Sequence, residues 1–296
     1  MKKSRIFLLT IALLLTVAGF AACSTPASAP TAAPASAAPA TDAPATESPA
    51  TEAPATETPA EVRTVIVGTG NGFKPYCYLD ENGNLQGYEK AVLDAIDEKL
   101  PQYKFEYQTF DFKNILIGLE AKKIDLAAHQ FEVNPERQAK FLFAAEPYTT
   151  FILRITVKKD RTDINSIADL HGKKVQVGEG SNDAYVLGEY NKKNNNAINL
   201  VYSAADAATT VKNIENGSID AFISITRIVE SYNETYGDIL KTVGDPVASS
   251  STYFIYRQDD TQLQQDVDKV LKELKADGTL ARISTEILGG DYTTND

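Results

Sequence analysis

A short passage occurs twice in this chain, and it constrains the fold more than anything else in the sequence. Leu119-Glu120-Ala121-Lys122-Lys123-Ile124-Asp125-Leu126-Ala127 returns, in pattern, as Ile214-Glu215-Asn216-Gly217-Ser218-Ile219-Asp220-Ala221-Phe222. Each copy reads as the last turn of an amphipathic helix, a polar break, and an apolar strand entered through Ile-Asp. A helix feeding a buried strand is the unit of an α/β sheet, so two copies predict two similar lobes. Ligands of open α/β sheets lie beyond the carboxyl ends of the strands. Two such lobes facing each other would share one cleft, which predicts a binding architecture.

The first sixty residues are of a different kind. Lys2, Lys3 and Arg5 precede an apolar run from Ile6 to Val17, too short to span a bilayer comfortably, which marks residues 1–22 as an export signal. Phe20-Ala21-Ala22-Cys23 resembles a bacterial lipoprotein cleavage site, with Cys23 as the lipidated residue; an ordinary secretory signal is the alternative. Residues 23–61 are almost wholly Ala, Pro, Thr, Ser and Glu without apolar periodicity, which predicts a disordered tether with a reach of roughly 100 Å. The domain is therefore expected at the extracytoplasmic face of the membrane. Only Cys77 remains besides Cys23, so no internal disulfide is expected, and Cys77 reads as a passive packing residue in a loop. A net charge of −11 argues against nucleic acid and against anionic lipid surfaces. Two histidines without ligand spacing argue against a metal, and no cofactor is implied.

From Val62 onward the chain alternates strands and helices. A strand is expected at Val65–Gly68, a helix at Tyr88–Leu100 ended by Pro101, a strand at Tyr103–Phe110, and a helix at Ile115–Ala121 leading into strand Ile124–Ala128. Strand Phe151–Val157 leaves this lobe. Strand Val175–Val177, a helix from about Asp183, and strand Ile219–Ile225 belong to the next. Tyr253–Tyr256 returns to the first lobe, and two amphipathic helices separated by Asp277-Gly278 finish it. Residues 62–152 with 248–296 are assigned to lobe 1 and 153–247 to lobe 2. Two crossings, near 150–157 and 246–254, would form a hinge that closes on a ligand.

Phe73-Lys74-Pro75-Tyr76, Asn82 to Tyr88, Pro135-Glu136-Arg137, Glu146-Pro147-Tyr148, Asp169 to Val175 and Ala276 to Leu280 occur in that order. Together they resemble the family 3 solute-binding proteins, the polar amino acid receptors of ABC importers, with cystine-type members nearest. The resemblance implies a two-lobed, type II periplasmic-binding-protein-like α/β fold with two crossover strands. It also implies a monomer that captures a small polar amino acid and delivers it to an ABC permease.

Carried over residue by residue, the resemblance makes Arg137 the binder of the ligand α-carboxylate. A planar, permanently charged guanidinium suits that task; the plainer reading is a surface Arg pairing with Glu136 or Asp111. Phe73 and Phe112 match two aromatic positions that sandwich the ligand side chain, though either would suit a core. Tyr76 and Tyr148 are placed at the cleft rim, and Thr226 beside them. His129, Gln130 and Glu132 follow the first repeat strand, and cystine-binding members carry a similar Gln. In Gly178-Glu179-Gly180-Ser181-Asn182 a helix start with Ser181 and Asn182 would hold an anionic group, or serve simply as an N-cap.

Three positions depart from the family pattern. Ile225 and Gly70 stand where acidic residues are usual, and Glu132 where Thr is usual. Glu132 is therefore expected to take over the cation-binding role. Two rival functions remain on the same scaffold: a dehydratase-like enzyme using His129 and Glu132 as an acid–base pair, and a sensor coupled to a separate membrane partner.

Overall fold

The computed structural model describes residues 61–294. The leader, Cys23 and nearly all of the tether lie outside the described residues. Among the described residues, no helix is long and apolar enough to cross a membrane.

The two lobes are halves of one nine-stranded sheet. In the first, strand Arg63–Thr69 pairs in parallel with Tyr103–Thr109 on one side and Leu126–Glu132 on the other. In the second, Lys174–Gly178 pairs in parallel with Asn199–Ser203 and Ala221–Ser224. Two long antiparallel strands, Thr149–Lys158 and Leu240–Tyr256, run through both halves, pairing from Thr149 with Thr252 to Lys158 with Leu240. Their register slips between Val243 and Ala248. Pro246 falls inside that irregularity, where a residue without an N–H costs no ladder bond. Gly244 falls there too. Its φ of +69° favours glycine, and a Cβ would lie 2.5 Å from the Asn165 carbonyl.

The repeated Ile-Asp has a structural explanation. Asp125 accepts the Ile66 amide at 2.8 Å and pairs with Arg257; Asp220 accepts the Lys174 amide at 2.8 Å and pairs with Arg161 at 2.8 Å. In each lobe one carboxylate thus satisfies a backbone donor on the adjoining parallel strand and anchors an arginine.

Several bounds differ from expectation. Helix Tyr88–Asp97 stops short of Leu100, because Lys99 and Leu100 donate back three residues in a tightened final turn. Helix Phe112–Glu120 begins earlier than expected and takes in Phe112. Strand Leu126–Glu132 runs four residues beyond Ala128, so His129, Gln130 and Glu132 lie in the strand rather than after it. Strand Asn199–Ser203 was hidden in a polar run. Cys77 opens the short strand Cys77–Leu79 and is buried, not in a loop. The closing helices follow the expected pattern. Leu263, Val267, Val270, Leu271 and Leu274 of Thr261–Ala276 are buried, at about 1.5–3 kcal/mol each, and Gly278 at φ +80° ends the run.

Candidate functional site

A cavity of about 450 Å³ opens between the lobes, where the strands of both halves end. Gly70 and Glu132 mark the first-lobe ends, and Gly178, Ser203 and Ser224 the second-lobe ends. Phe73, Phe112, His129, Gln130, Glu132, Arg137, Ser181 and Asn182 all line it. Eight side chains spread over more than a hundred positions are thereby brought to one space.

Arg137 is 6% exposed, which rules out the surface pairing with Glu136 or Asp111. It sits in the short helix Pro135–Gln138, whose N-cap Asn134 accepts the Arg137 amide at 2.9 Å. Its guanidinium donates to the Glu132 carbonyl at 2.7 Å and to the Gly180 carbonyl of the other lobe at 3.0 Å. It also lies over the Phe131 ring, 5.2 Å from the centroid. Two of its five N–H groups are thus spent on carbonyls that fix its plane, leaving donors for an acid group. Burial lowers its pKa to about 10, so it stays charged at neutral pH.

Glu132, 3% exposed, joins three parts of the molecule. Its Oε1 accepts from Asn182 of the second lobe at 3.0 Å and from Ser250 on the crossover strand. Burial pushes its pKa up to about 7; Ser250, Asn182 and Arg137 oppose the rise without cancelling it. Gln130 is held more tightly still. Its amide donates to Glu89 at 2.6 Å and to the Tyr148 hydroxyl at 3.0 Å, and its side chain donates to Glu89 at 3.1 Å. Its φ of +49° is rare outside glycine, and the buried Glu89 network holds it there.

Ser181 is the N-cap of helix Asn182–Lys193; its hydroxyl accepts from Ala184 at 3.3 Å and donates to the Gly178 carbonyl at 2.7 Å. Asp183 in that first turn lines the cavity and accepts the Gly178 amide at 3.2 Å. The Ser181 hydroxyl is thus engaged as the expected N-cap, and the Asp183 carboxylate shares the same helix start.

Three rim positions are corrected. Tyr76 and Tyr148 are fully buried behind the wall. Tyr148 donates to Glu89 at 2.9 Å and stacks on Phe254 at 4.2 Å. The Tyr76 hydroxyl accepts from Arg227 at 2.9 Å. Their rings supply core area, and each hydroxyl finds a protein partner instead of water. Thr226 is exposed and outside the cavity lining, and Ile225 packs into the core.

The cavity also holds residues the sequence did not single out. Gln176 donates to Thr210 at 2.8 Å, while its buried Oε1 has no partner among the described residues. Asn71, Asp206 and Lys113 join it, the last bridging to Glu179 across the cleft at 2.7 Å. The signal that could have found Gln176 and Asp206 is their position at or just after second-lobe strands, the counterpart of the first-lobe positions that were chosen.

The family described as bacterial extracellular solute-binding proteins, family 3, matches residues 65–290. The L-cystine-binding protein TcyJ of Bacillus subtilis is 41% identical over 233 residues, 79% of this chain and 87% of that protein. A putative L-cystine ABC transporter structure from Listeria monocytogenes is 40% identical, with a TM-score of 0.74 over 79% of this chain and 99% of that one. A Streptococcus mutans structure, from work on glutathione import via GshT and the cystine importer TcyBC, is 30% identical. It has a TM-score of 0.73 over 79% and 98% of the two chains.

Proposed function

The chain belongs to the bacterial extracellular solute-binding proteins of family 3, and from that premise we propose that its ligand is L-cystine or a closely similar dipolar amino acid. It is the capture component of an ABC importer, and the lobes close on the ligand before delivery to the permease. The observation that carries the ligand reading is the pairing of Arg137 and Glu132 in one buried wall. A guanidinium oriented by two carbonyls meets the α-carboxylate, and Glu132 meets the α-ammonium in place of the acids absent at positions 70 and 225. Likeness to cystine-binding relatives supports the choice. Gln176 Oε1 offers the ligand a further acceptor from the second lobe.

In this reading residues 62–152 and 248–296 form one moving lobe and 153–247 the other, with Thr149–Lys158 and Leu240–Tyr256 as the hinge. Cys23 carries the lipid, residues 23–61 are the tether, and the domain works as a monomer without catalysis. Isothermal titration of L-cystine tests the site. Arg137→Lys should weaken binding by at least about tenfold, because a point charge loses the bidentate geometry, and Glu132→Gln by a similar factor. Unchanged affinity in either variant removes that residue from the proposal. Release of a Cys23→Ala protein into the medium, with the unaltered protein retained on cells, tests the anchor.

A further inference from the structure

Phe73 and Phe112 face the cavity as expected, but the space between them is occupied by the protein. The His129 imidazole stacks on Phe73 with centroids 5.2 Å apart and planes 16° from parallel. It meets Phe112 edge-on, 4.9 Å away and at 64°. Tyr76 stacks on Phe73 at 5.2 Å, and Phe131 stacks on Phe112 at 5.3 Å while lying 6.3 Å from the imidazole, so three aromatic rings surround it. With rings on both sides it has little freedom to swing away.

The imidazole fits because position 70 has no side chain. A Cβ on Gly70 would lie 2.4 Å from Nε2 and 2.5 Å from Cδ2 of His129, and 3.0 Å from Sγ of Cys77. The backbone of Gly70 is not in the left-handed region, so no turn demands glycine there. The ring beside it does.

We propose that Gly70 and His129 form one specificity unit, in which the imidazole admitted by the glycine plugs the slot between Phe73 and Phe112. A ligand with a flat side chain, such as a guanidinium or an aromatic ring, cannot then be stacked between the two phenylalanines. A ligand built on a chain of tetrahedral atoms, as in a thioether or disulfide-linked amino acid, can lie along the cleft across the imidazole. Burial lowers the pKa of His129, so at neutral pH the plug is an uncharged hydrogen-bonding ring. This inference rests on amino acid capture in the same cleft and adds what that cleft rejects.

The test uses four proteins: the unaltered chain, Gly70→Ala, His129→Ala, and the double variant. Each is melted without ligand and titrated with L-cystine and L-arginine. Gly70→Ala should lower the melting temperature and cut L-cystine affinity by about tenfold or more in the presence of His129, and cost little once the ring is gone. His129→Ala, with the slot open, should gain at least about tenfold in L-arginine affinity. Equal cost of Gly70→Ala in both backgrounds, or unchanged L-arginine affinity in His129→Ala, overturns the proposal. If all four proteins ignore L-cystine while the coupling and the L-arginine gain persist, the cystine reading fails and the plug stands.

Discussion

The two copies of the repeat solve the same problem and then part company. Asp125 and Asp220 each accept a backbone amide at 2.8 Å and hold an arginine. Beyond them, the first-lobe strand continues through His129, Gln130 and Glu132 into the cleft. Its counterpart ends at Ser224 and turns Ile225 into the core. The shared part is architecture and the divergent part is recognition. A repeated motif therefore marks what both lobes need in order to fold, and ligand chemistry is read where the copies stop matching.

The comparison can be broken most forcefully at the aspartates. Asp125 also sits beside Arg63, and its side chain is 15% exposed against 26% for Asp220. Removing it strands three partly buried donors, on Ile66, Arg63 and Arg257, so Asp125→Ala should cost about 3 kcal/mol of unfolding free energy, measured in urea. Asp220→Ala should cost about half as much, because water can reach its partners. Equal losses would mean that the copies are energetically as well as geometrically alike.

A smaller effect sharpens the divergent part. Glu132 has a folded pKa of about 7, above its ordinary value of 4.5, so the native state holds this proton more tightly than the unfolded chain. Its contribution to stability is then full below about pH 4.5 and declines as pH rises to about 7, on the order of 1 kcal/mol or more. A ligand ammonium favours the ionised carboxylate, so affinity should rise over the same interval. Melting and titration across this pH range, for the unaltered chain against Glu132→Gln, should show both slopes in the former and neither in the latter. The end of the matching second-lobe strand, Ala221–Ser224, has no equivalent carboxylate, because Ile225 stands there.

The smallest effect belongs to the cleft mouth. The Lys113–Glu179 bridge joins two half-exposed side chains, and water and salt screen it. Lys113→Ala should leave the melting temperature unchanged and reduce affinity slightly at low salt only, as titration at two ionic strengths would show.

The two-lobed α/β plan was legible because hydrophobic periodicity, Gly-Asp punctuation and the repeat all act through local backbone geometry. The place of Arg137 in the cleft wall was legible too, since its segment carries a family pattern. Tyr76 and Tyr148 were misplaced at the rim because a tyrosine in a loop motif looks the same in sequence whether its hydroxyl meets water or a protein group, here Arg227 and Glu89. At Ser181 the sequence left two readings open, because a capping serine and a ligand-binding serine share one sequence signature. Gln176 was missed because its strand is a plain buried strand except at that side chain.

What the sequence determined by itself was the kind of fold and the existence of a cleft, both of which follow from hydrophobic periodicity and short-range order. Tertiary structure alone decided which atoms the cleft presents. Whether an imidazole can sit between Phe73 and Phe112 depends on a glycine 59 positions earlier, where a Cβ would lie 2.4 Å from the ring, a proximity that no local pattern encodes. Burial then sets the charge state of Glu132, because desolvation is a property of the whole enclosure rather than of any residue within it.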